Sequence, residues 1–243
     1  MGLEALCEKH GIPESHGLAH ARRVLAHAEK ALEKAAAPVA PPLARAIRLA
    51  ALLHDADDKK YFPGTVPGET PNAKGIMEAA GAEPGVVADA LRMIGLVSCS
   101  KNGNSVPSDV AGRPEYLWPR WADRLEATGE EGVVRCWQYN TEVGAPLAAA
   151  ETPRPATEAE VWALATAERF AQYQKSGGSS RSMMDHYYDK LLRVARPDYS
   201  SVRNEYLESE MDQRAAPLVE ICLAYGKTGE VPTDRILEMA ARM

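Results

Sequence analysis

The chain has 243 residues, of which 45% are hydrophobic and 26% are charged, and its formal net charge is −6. This balance excludes a disordered or fibrous chain, and the length suits one substantial core. The negative charge argues against a nucleic-acid polymer as the main partner, because proteins that bind one usually carry a basic face. A small anionic partner needs only a few local cations, for which the candidates are Arg23, Lys59, Lys60, Lys101, Arg181 and Lys190.

The cysteine pattern and the apolar segments bear on the compartment. Four cysteines lie far apart in the sequence and show no C-x-x-C spacing, which favours a reducing cytosol over a disulfide framework or a zinc ribbon. The N-terminal segment MGLEALCEKHG contains acidic residues and lacks the apolar run of a signal peptide. No stretch approaches the roughly 18 apolar residues of a membrane span. We therefore expect a cytoplasmic protein with no membrane partner.

Apolar residues recur at helical spacing along most of the chain. A helix is predicted from Ser15 or His16 to about Lys34, and the segment APVAPP ends it. Pro42 then begins a second helix, PLARAIRLAALLHDA, whose buried face continues to His54. Further helices are predicted at about 73–81, 84–97, 114–128, 130–140, 158–176, 180–194, 198–223 with a break near Pro217, and 233–242.

The remaining segments read as loops. Residues 62–72 hold three prolines and two glycines, and residues 142–157, rich in proline and alanine, look like a surface excursion. The sequence shows no internal repeat and no convincing strand pair, and alanine is abundant whereas phenylalanine occurs only twice. The predicted fold class is therefore all-α.

Ionisable residues crowd the end of the second predicted helix, in LLHDADDKK at residues 52–60. Burying so many charges costs several kcal/mol apiece unless a metal ion, or a phosphate facing the lysines, supplies counter-charge. His54 and Asp55 are adjacent there, and Asp123 lies among apolar neighbours in WPRWADRLEATG. The first predicted helix adds a stripe of candidate ligands and cations, which comprises His16, His20, Arg23 and His27.

Four segments, in order, resemble the HD-domain metal-dependent phosphohydrolase superfamily, and more closely its YpgQ-like nucleotide pyrophosphohydrolase branch. HARRV resembles the H-x-x-R-V opening of that branch, and LLHDADDKKY resembles its His-Asp segment. WADRLEATGEEGVVR is similar to D-A-D-R-L-[DE]-A-x-G-x-x-G-[IV]-x-R, and MMDHYYDKLLRV resembles H-[FY]-[YF]-[DE]-K-L-L. The resemblance spans about residues 16–194. It departs from the branch at Trp121, where an acidic residue is usual, and in the longer segment 142–157.

The resemblance implies a metal site and a domain plan. Two imidazoles and two carboxylates suit one divalent ion, with Mn²⁺ favoured and Mg²⁺, Fe²⁺ or Co²⁺ as alternatives. The predicted plan is a single compact HD domain over residues 1–196. Residues 197–243 lie outside the motifs and are expected to form a C-terminal helical extension that packs on the domain or forms a homodimer interface. The implied metal ligands are His20, His54, Asp55 and Asp123.

Other residues are predicted to act on the substrate. Asp58 lies four residues after His54 and shares its face if the helix continues, so it is the candidate general acid or base, with a helix cap or a partner for Lys59 as the alternative. Lys60 is expected to face phosphate charge during the reaction. Asp57 and Lys59 are read as surface residues. The predicted substrate contacts are Arg23, Lys101, His186 and Lys190.

Each of these assignments has a structural alternative. Asp123 could instead pair with Arg120 or Arg124, Lys190 could be a surface lysine, and His186 could serve packing. His16 and His27 could orient phosphate or support the ligands from behind.

The expected activity is hydrolysis of a nucleotide by metal-activated water. The resemblance implies conversion of a (d)NTP to a (d)NMP and pyrophosphate. The alternatives are a phosphatase for nucleoside monophosphates or another small phosphorylated metabolite, a nucleotide-binding sensor without turnover, and a purely structural helical protein.

Overall fold

The computed structural model describes residues 2–12, 17–66 and 68–243. Within these ranges the regular structure is helical and no β-strand occurs, which confirms the predicted all-α fold class. In the same part of the chain, no helix combines the length and the apolar composition that crossing a bilayer requires. The predicted helix start at Ser15 or His16 falls outside the described residues.

Most of the predicted helices are present, with short helical turns between some of them. The turns are 3-10 at Ser108–Val110, Pro114–Leu117 and Tyr199–Ser201, and a π segment at Tyr187–Leu191 joins two helices. The α-helices are α1 (Leu3–His10), α2 (Leu18–Glu33), α3 (Pro41–Leu53), α4 (Pro71–Ala79), α5 (Pro84–Val97), α6 (Cys99–Asn102), α7 (Trp118–Leu125), α8 (Gly129–Glu142), α9 (Glu158–Leu164), α10 (Ala167–Lys175), α11 (Met183–His186), α12 (Leu192–Ala195), α13 (Glu205–Thr228) and α14 (Thr233–Ala240).

Proline sets the starts of three consecutive helices. α3, α4 and α5 each begin with a proline, at Pro41, Pro71 and Pro84. Proline suits this position because its fixed φ matches the helix and its missing N–H would have had no partner in the first turn. These starts lie within two residues of those predicted from the sequence.

The chain forms two compact units. The first comprises Met1–Ser98, Val106–Asp123 and Ser200–Leu207, and the second comprises Cys99–Ser105, Arg124–Tyr199 and Glu208–Met243. These units divide the chain differently from the boundary at residue 196, which stays a prediction.

Each unit buries its own apolar side chains. In the first, α3 packs against α2 and α5, and the alanines of α3 let the helices approach closely. In the second, a large cluster joins α8, the helix around Tyr187 and Tyr188, α13 and α14. A smaller cluster there joins Phe170, Tyr173 and Val194.

Two predictions about helix boundaries were wrong. The stretch 158–176 is two helices, because the side chain of Thr166 accepts a hydrogen bond from the Arg169 N–H and starts α10 afresh. The expected break near Pro217 is absent from α13, since Pro217 lies inside a continuous helix whose neighbours Leu218 and Ile221 are fully buried. Their packing outweighs the cost of about 3 kcal/mol that an internal proline carries.

The segment 142–157 is packed into the second unit and is not merely a surface excursion. The carbonyls of Pro146 and Leu147 accept the N–H groups of Met183 and Met184 at 2.9 and 3.0 Å. Thr152 is 4% exposed, and its hydroxyl donates to the Asp185 carboxylate. The proline and alanine content that suggested a loop therefore marks a segment that covers the start of α11.

Candidate metal centre

Three separate stretches of the first unit supply the side chains of the candidate site. His20 lies in the first turn of α2, on the buried face that also carries Val24. α3 ends at Leu53, so His54 and Asp55 stand at its C-terminal boundary, where the chain changes direction. Asp123 comes from α7. The buried stripe predicted for α3 is confirmed as far as His54, whose side chain is 2% exposed.

The side-chain atoms of these residues converge on one point. The Nε2 atoms of His20 and His54 lie 3.2 Å apart. The Asp123 Oδ1 is 3.3 Å from the first and 3.4 Å from the second, so the three ligand atoms lie within 4.8 Å of one another. The Asp55 Oδ2 is 3.4 Å from His54 and 3.9 Å from His20. The structure therefore brings together all four side chains predicted as ligands.

The hydrogen bond that His54 makes through Nδ1 determines whether Nε2 of the same ring can act as a metal ligand. Nδ1 lies 2.9 Å from the carbonyl oxygen of Ala51, which can only accept, so Nδ1 carries a proton and donates. In the neutral ring, Nε2 is then a lone-pair acceptor directed at His20 and the carboxylates. Metal-binding histidines are commonly oriented in this way. The His20 Nδ1 is buried and has no hydrogen-bond partner among the described residues.

The electrostatics show how strongly the cluster attracts positive charge. Burial lowers the pKa of His54, but the charges of Asp55 and Asp123 outweigh it and hold that pKa well above its ordinary value. Burial raises the pKa of Asp123, yet hydrogen bonds with His20 and His54 hold it well below the usual range. The Asp55 pKa is also lowered, with burial opposed by His54. Both carboxylates are therefore ionised at neutral pH.

Exposure differs between the two kinds of ligand. The side chains of His20 and His54 are 3% and 2% exposed, whereas those of Asp55 and Asp123 are 28% and 29% exposed. The imidazoles form a buried floor, and the carboxylates form a rim that water can reach. Such a donor set fits a divalent ion with coordination positions open on the carboxylate side.

The turn after α3 corrects the expected place of Asp58. The helix does not continue, because the Ala56 and Asp58 N–H groups donate to the carbonyls three residues back, at Leu53 and Asp55. The Asp58 Oδ1 accepts the Lys60 N–H at 3.0 Å, a local turn that short polar side chains favour. Asp58 thus follows His54 through successive tight turns and not on a shared helical face.

Asp57, which was read as a surface residue, has a structural role. Its carboxylate accepts the N–H groups of Asn72 and Ala73, both at 2.9 Å, and so caps the start of α4. The Asn72 side chain donates back to the Ala56 carbonyl at 3.0 Å. These hydrogen bonds connect the turn that carries His54 and Asp55 to α4, although Asp57 and Asn72 are fifteen positions apart. Local sequence patterns gave no signal for a cap supplied from such a distance.

Tyr61 lies near the ligands, and no role was predicted for it from the sequence. Burial raises the pKa of Tyr61, and the charges of Asp58 and Asp55 raise it further. Its hydroxyl is therefore within electrostatic range of one ligand and of the candidate acid or base. Lys60 is exposed in the same turn, and Arg23 is exposed on α2, three residues after His20.

The other residues considered for the site are accounted for as follows. The neighbours of Asp123 donate to other groups: Arg120 to the Leu96 carbonyl at 2.8 Å, and Arg124 to the Asn104 side chain at 2.6 Å. His27 lies 2.6 Å from the Tyr206 hydroxyl, measured from Nδ1, and is a buried packing residue of the first unit. His16 lies outside the described residues.

Three of the predicted substrate contacts belong to the second unit. Lys101 is exposed in α6. His186 and Lys190 both lie against Tyr173, with ring centres 5.5 Å apart for the histidine and the Lys190 Nζ 5.9 Å from the tyrosine ring centre. Burial, with the charge of Lys190 adding to it, lowers the pKa of His186 to about 3, so this imidazole is neutral at physiological pH.

Together, the fold and this cluster define an all-helical protein with a His/Asp group that could hold a divalent cation. No family model matches the sequence. The uncharacterized protein L803 of Acanthamoeba polyphaga mimivirus is 35% identical over 191 residues, which are 74% of this chain and 76% of that protein. The chain belongs to the same family as L803.

Solved structures show the same fold. A Lactobacillus plantarum protein, determined as a structural-genomics target, matches with a TM-score of 0.62 at 21% identity, over 92% of this chain and 90% of its own. The Lin1889 protein of Listeria innocua matches with a TM-score of 0.55 at 18% identity, over 93% and 96% of the two chains. At these identities the likeness concerns the fold.

Proposed function

We propose that this protein is a divalent-metal-dependent phosphohydrolase that converts a (d)NTP into a (d)NMP and pyrophosphate. One observation carries the proposal: four predicted ligands converge on one point. The Nε2 atoms of His20 and His54 lie 3.2 Å apart, and carboxylate oxygens of Asp55 and Asp123 lie 3.3–3.9 Å from them. Four groups from three stretches of chain are an expensive arrangement to desolvate without a cation. The sequence resemblance to HD-domain phosphohydrolases supports the choice of reaction.

The cluster divides its tasks by exposure. A divalent ion bound there would supply Lewis-acid charge and lower the pKa of water toward neutrality. The two buried imidazoles would hold it from below and, as neutral ligands, leave its positive charge largely uncompensated. The ionised carboxylates of Asp55 and Asp123 would hold it from the solvent side, where a phosphate can approach.

Asp58 and Lys60 are the proposed reacting partners in the same turn. The Asp58 carboxylate is oriented by the Lys60 N–H and lies near Tyr61, whose phenol also feels the charge of Asp55. We assign Asp58 the transfer of a proton between water and the leaving oxygen. The ammonium group of Lys60 and the guanidinium group of Arg23, both exposed in this unit, are assigned to phosphate oxygens.

Lys101, His186 and Lys190 stay proposed substrate contacts on the strength of the sequence pattern. Lys190 offers an ammonium group, and His186 a neutral hydrogen-bonding group. The proposed native ion is Mn²⁺, with Mg²⁺, Fe²⁺ and Co²⁺ as the metals to compare.

A nucleotide panel tests the proposal. The full chain is incubated with each dNTP, each NTP and the monophosphates, with Mn²⁺, Mg²⁺, Co²⁺ or anaerobic Fe²⁺, and both pyrophosphate and phosphate are measured. We expect pyrophosphate from triphosphates, lost on chelation and reduced by at least about 10³-fold in His54→Ala and Asp123→Asn. Asp109→Asn is the matched control, because Asp109 is an exposed aspartate of the same unit that pairs with Arg92.

The products separate this proposal from its rivals. Phosphate released from monophosphates, without pyrophosphate from any triphosphate, would replace it with a phosphatase. Tight metal and nucleotide binding without turnover under any of the four metals would indicate a sensor. Absence of metal binding by the wild-type chain would leave a structural role for the cluster.

A further inference from the structure

The helix that carries His186 and Lys190 contains a rare element. It begins as α11, widens into a π turn over Tyr187–Leu191 and continues as α12. π turns have a different hydrogen-bond register from the α-helix, occur mostly as single turns and are frequent at functional sites. The structure around this one shows what holds it.

The burial pattern explains why the helix widens. From Met183 to Leu192, its buried apolar residues come in adjacent pairs that recur every four residues. An α-helix completes a turn in 3.6 residues, so side chains spaced by four drift around the axis by about 40° at each step. A turn with more residues reduces this rotation. The buried pairs then stay on one face of the helix, and the polar residues between them stay on another. The pairs are Met183 and Met184, Tyr187 and Tyr188, and Leu191 and Leu192.

One guanidinium spans the π turn on its polar side. The Arg169 Nη2 donates to the Asp185 Oδ1 at 2.9 Å, and its Nε donates to the Asp189 Oδ1 at 2.8 Å. Asp185 is 5% exposed and also accepts the hydroxyls of Ser182 and Thr152, both at 2.8 Å. Three side chains therefore hold Asp185 in place. Arg169, which binds both carboxylates, in turn restrains Asp189 on the other side of the widened turn.

The residue after Asp189 is Lys190, and its surroundings are also ordered. The Lys190 ammonium lies 5.9 Å from the ring centre of Tyr173. His186, one turn earlier, packs edge-on against the same ring and lies 3.3 Å from the Ser180 hydroxyl, measured from Nδ1. A shift of the backbone at Asp189 would move the cation out of this group.

We propose that Arg169 and Asp189 are positioning residues for Lys190: their ion pair clamps the π turn and holds the ammonium beside Tyr173 and His186, ready for a phosphate oxygen of the nucleotide. This inference rests on the proposed function, in which Lys190 contacts the substrate. A guanidinium suits the task because its planar fork can bind two carboxylates at once, which a lysine cannot do with the same geometry.

The first test reads the position of Lys190 without activity. The full-length protein is treated with a limiting acetylating reagent, and the rate at Lys190 is followed by peptide mass spectrometry. Arg169→Lys and Asp189→Asn should each raise the acetylation rate of Lys190 by about threefold or more, because local opening exposes the amine. Arg235→Lys is the matched control, because Arg235 pairs with Glu220 and Glu238 in the same unit.

Lys190 rates equal to wild type in both Arg169→Lys and Asp189→Asn would overturn the proposal. Asp189→Asn keeps the side-chain volume, so it supplies a folded variant even if the arginine replacement unfolds. Circular dichroism checks the helix content of each.

The second test separates positioning from mere structural support. With dNTPs and Mn²⁺, both variants should raise KM about tenfold and leave kcat unchanged, because binding of the phosphate is weakened in ground and transition states alike. A structural role alone would lower the melting temperature and leave KM as it is. Arg235→Lys should change neither kinetic constant.

Lys190→Ala distinguishes failure of this inference from failure of the proposed function. If Lys190→Ala leaves KM unchanged, the proposed substrate contact itself is wrong. If Lys190→Ala raises KM while Arg169→Lys and Asp189→Asn do not, the substrate contact stands and the positioning role is wrong.

Discussion

The imidazole Nε2 atoms of His20 and His54 face each other at 3.2 Å. Two unprotonated nitrogens would repel at this distance, and the adjoining carboxylates of Asp55 and Asp123 add negative charge to the same point, which helps to hold the pKa of His54 well above its ordinary value. A proton or a metal ion between them removes the repulsion. The pair is therefore the place where added cations should have the largest effect on the folded state.

Divalent metal should stabilise the protein through this pair. We expect Mn²⁺ at a hundred times its Kd to raise the free energy of unfolding of the chelator-treated protein by about 2.7 kcal/mol, because only the folded chain gathers the four ligands. For a chain of this length, that is a melting-temperature rise of about 5–10 °C by calorimetry. His54→Ala should show no Mn²⁺-dependent rise, and an equal rise in that variant would place the ion elsewhere.

Asp57 should prove more important for stability than its charged, half-exposed setting suggests. Asp57→Ala removes both acceptors at the start of α4 and should lower the free energy of unfolding by about 1–2 kcal/mol in urea titration. The neighbouring exposed Lys59 provides the comparison, since Lys59→Ala should change stability by less than about 0.5 kcal/mol. Similar losses in both variants would contradict the capping role.

Asp185 should make stability fall in acid. Burial raises its pKa, but hydrogen bonds from Thr152, Ser182 and Arg169 outweigh burial, so the folded-state pKa lies below the ordinary one. Its contribution is therefore complete above about pH 4 and is lost as the pH falls through the folded-state value. Urea titrations between about pH 5 and 2 should show a steeper decline for wild type than for Asp185→Asn. Equal slopes would mean that Asp185 has the same pKa in both states.

Gly226 should not tolerate a side chain. A Cβ at this position of α13 would overlap the Pro155 carbonyl oxygen, so Gly226→Ala should cost about 3 kcal/mol in urea titration. Gly75 is also inside a helix, but a Cβ there meets nothing within 4 Å. Gly75→Ala should stabilise the protein by about 0.5–1 kcal/mol, because alanine loses less backbone entropy on folding. A tolerated Gly226→Ala would show that segment 142–157 can shift.

The sequence was sufficient where a residue's role depends on near neighbours. Helical spacing and initial prolines placed α3, α4 and α5 closely, and the quoted motifs selected four side chains that the structure brings together. It was insufficient where distant contacts decide. The cap that Asp57 supplies to α4, the hydrogen bond that Thr152 donates to Asp185 and the continuation of α13 through Pro217 all depend on partners that no local window contains.

The π turn lies between these cases. The four-residue recurrence of buried pairs from Met183 to Leu192 is visible in the sequence, and it fits neither an ideal α-helix nor a strand. The paired, half-buried position of Arg169 on α10 offered no matching signal, because its two carboxylate partners follow it by sixteen and twenty residues.

The unequal exposure of the four ligands has a kinetic consequence for metal exchange. With the imidazoles below and the partly exposed carboxylates above, an ion could enter or leave by rotation of one aspartate, without opening of the helices. Slow collective motion of the helices would then not limit the exchange of ions between the site and the surrounding metal pool. The metal found in the protein would report the supply in the cell at harvest, and growth medium would change it as readily as mutation.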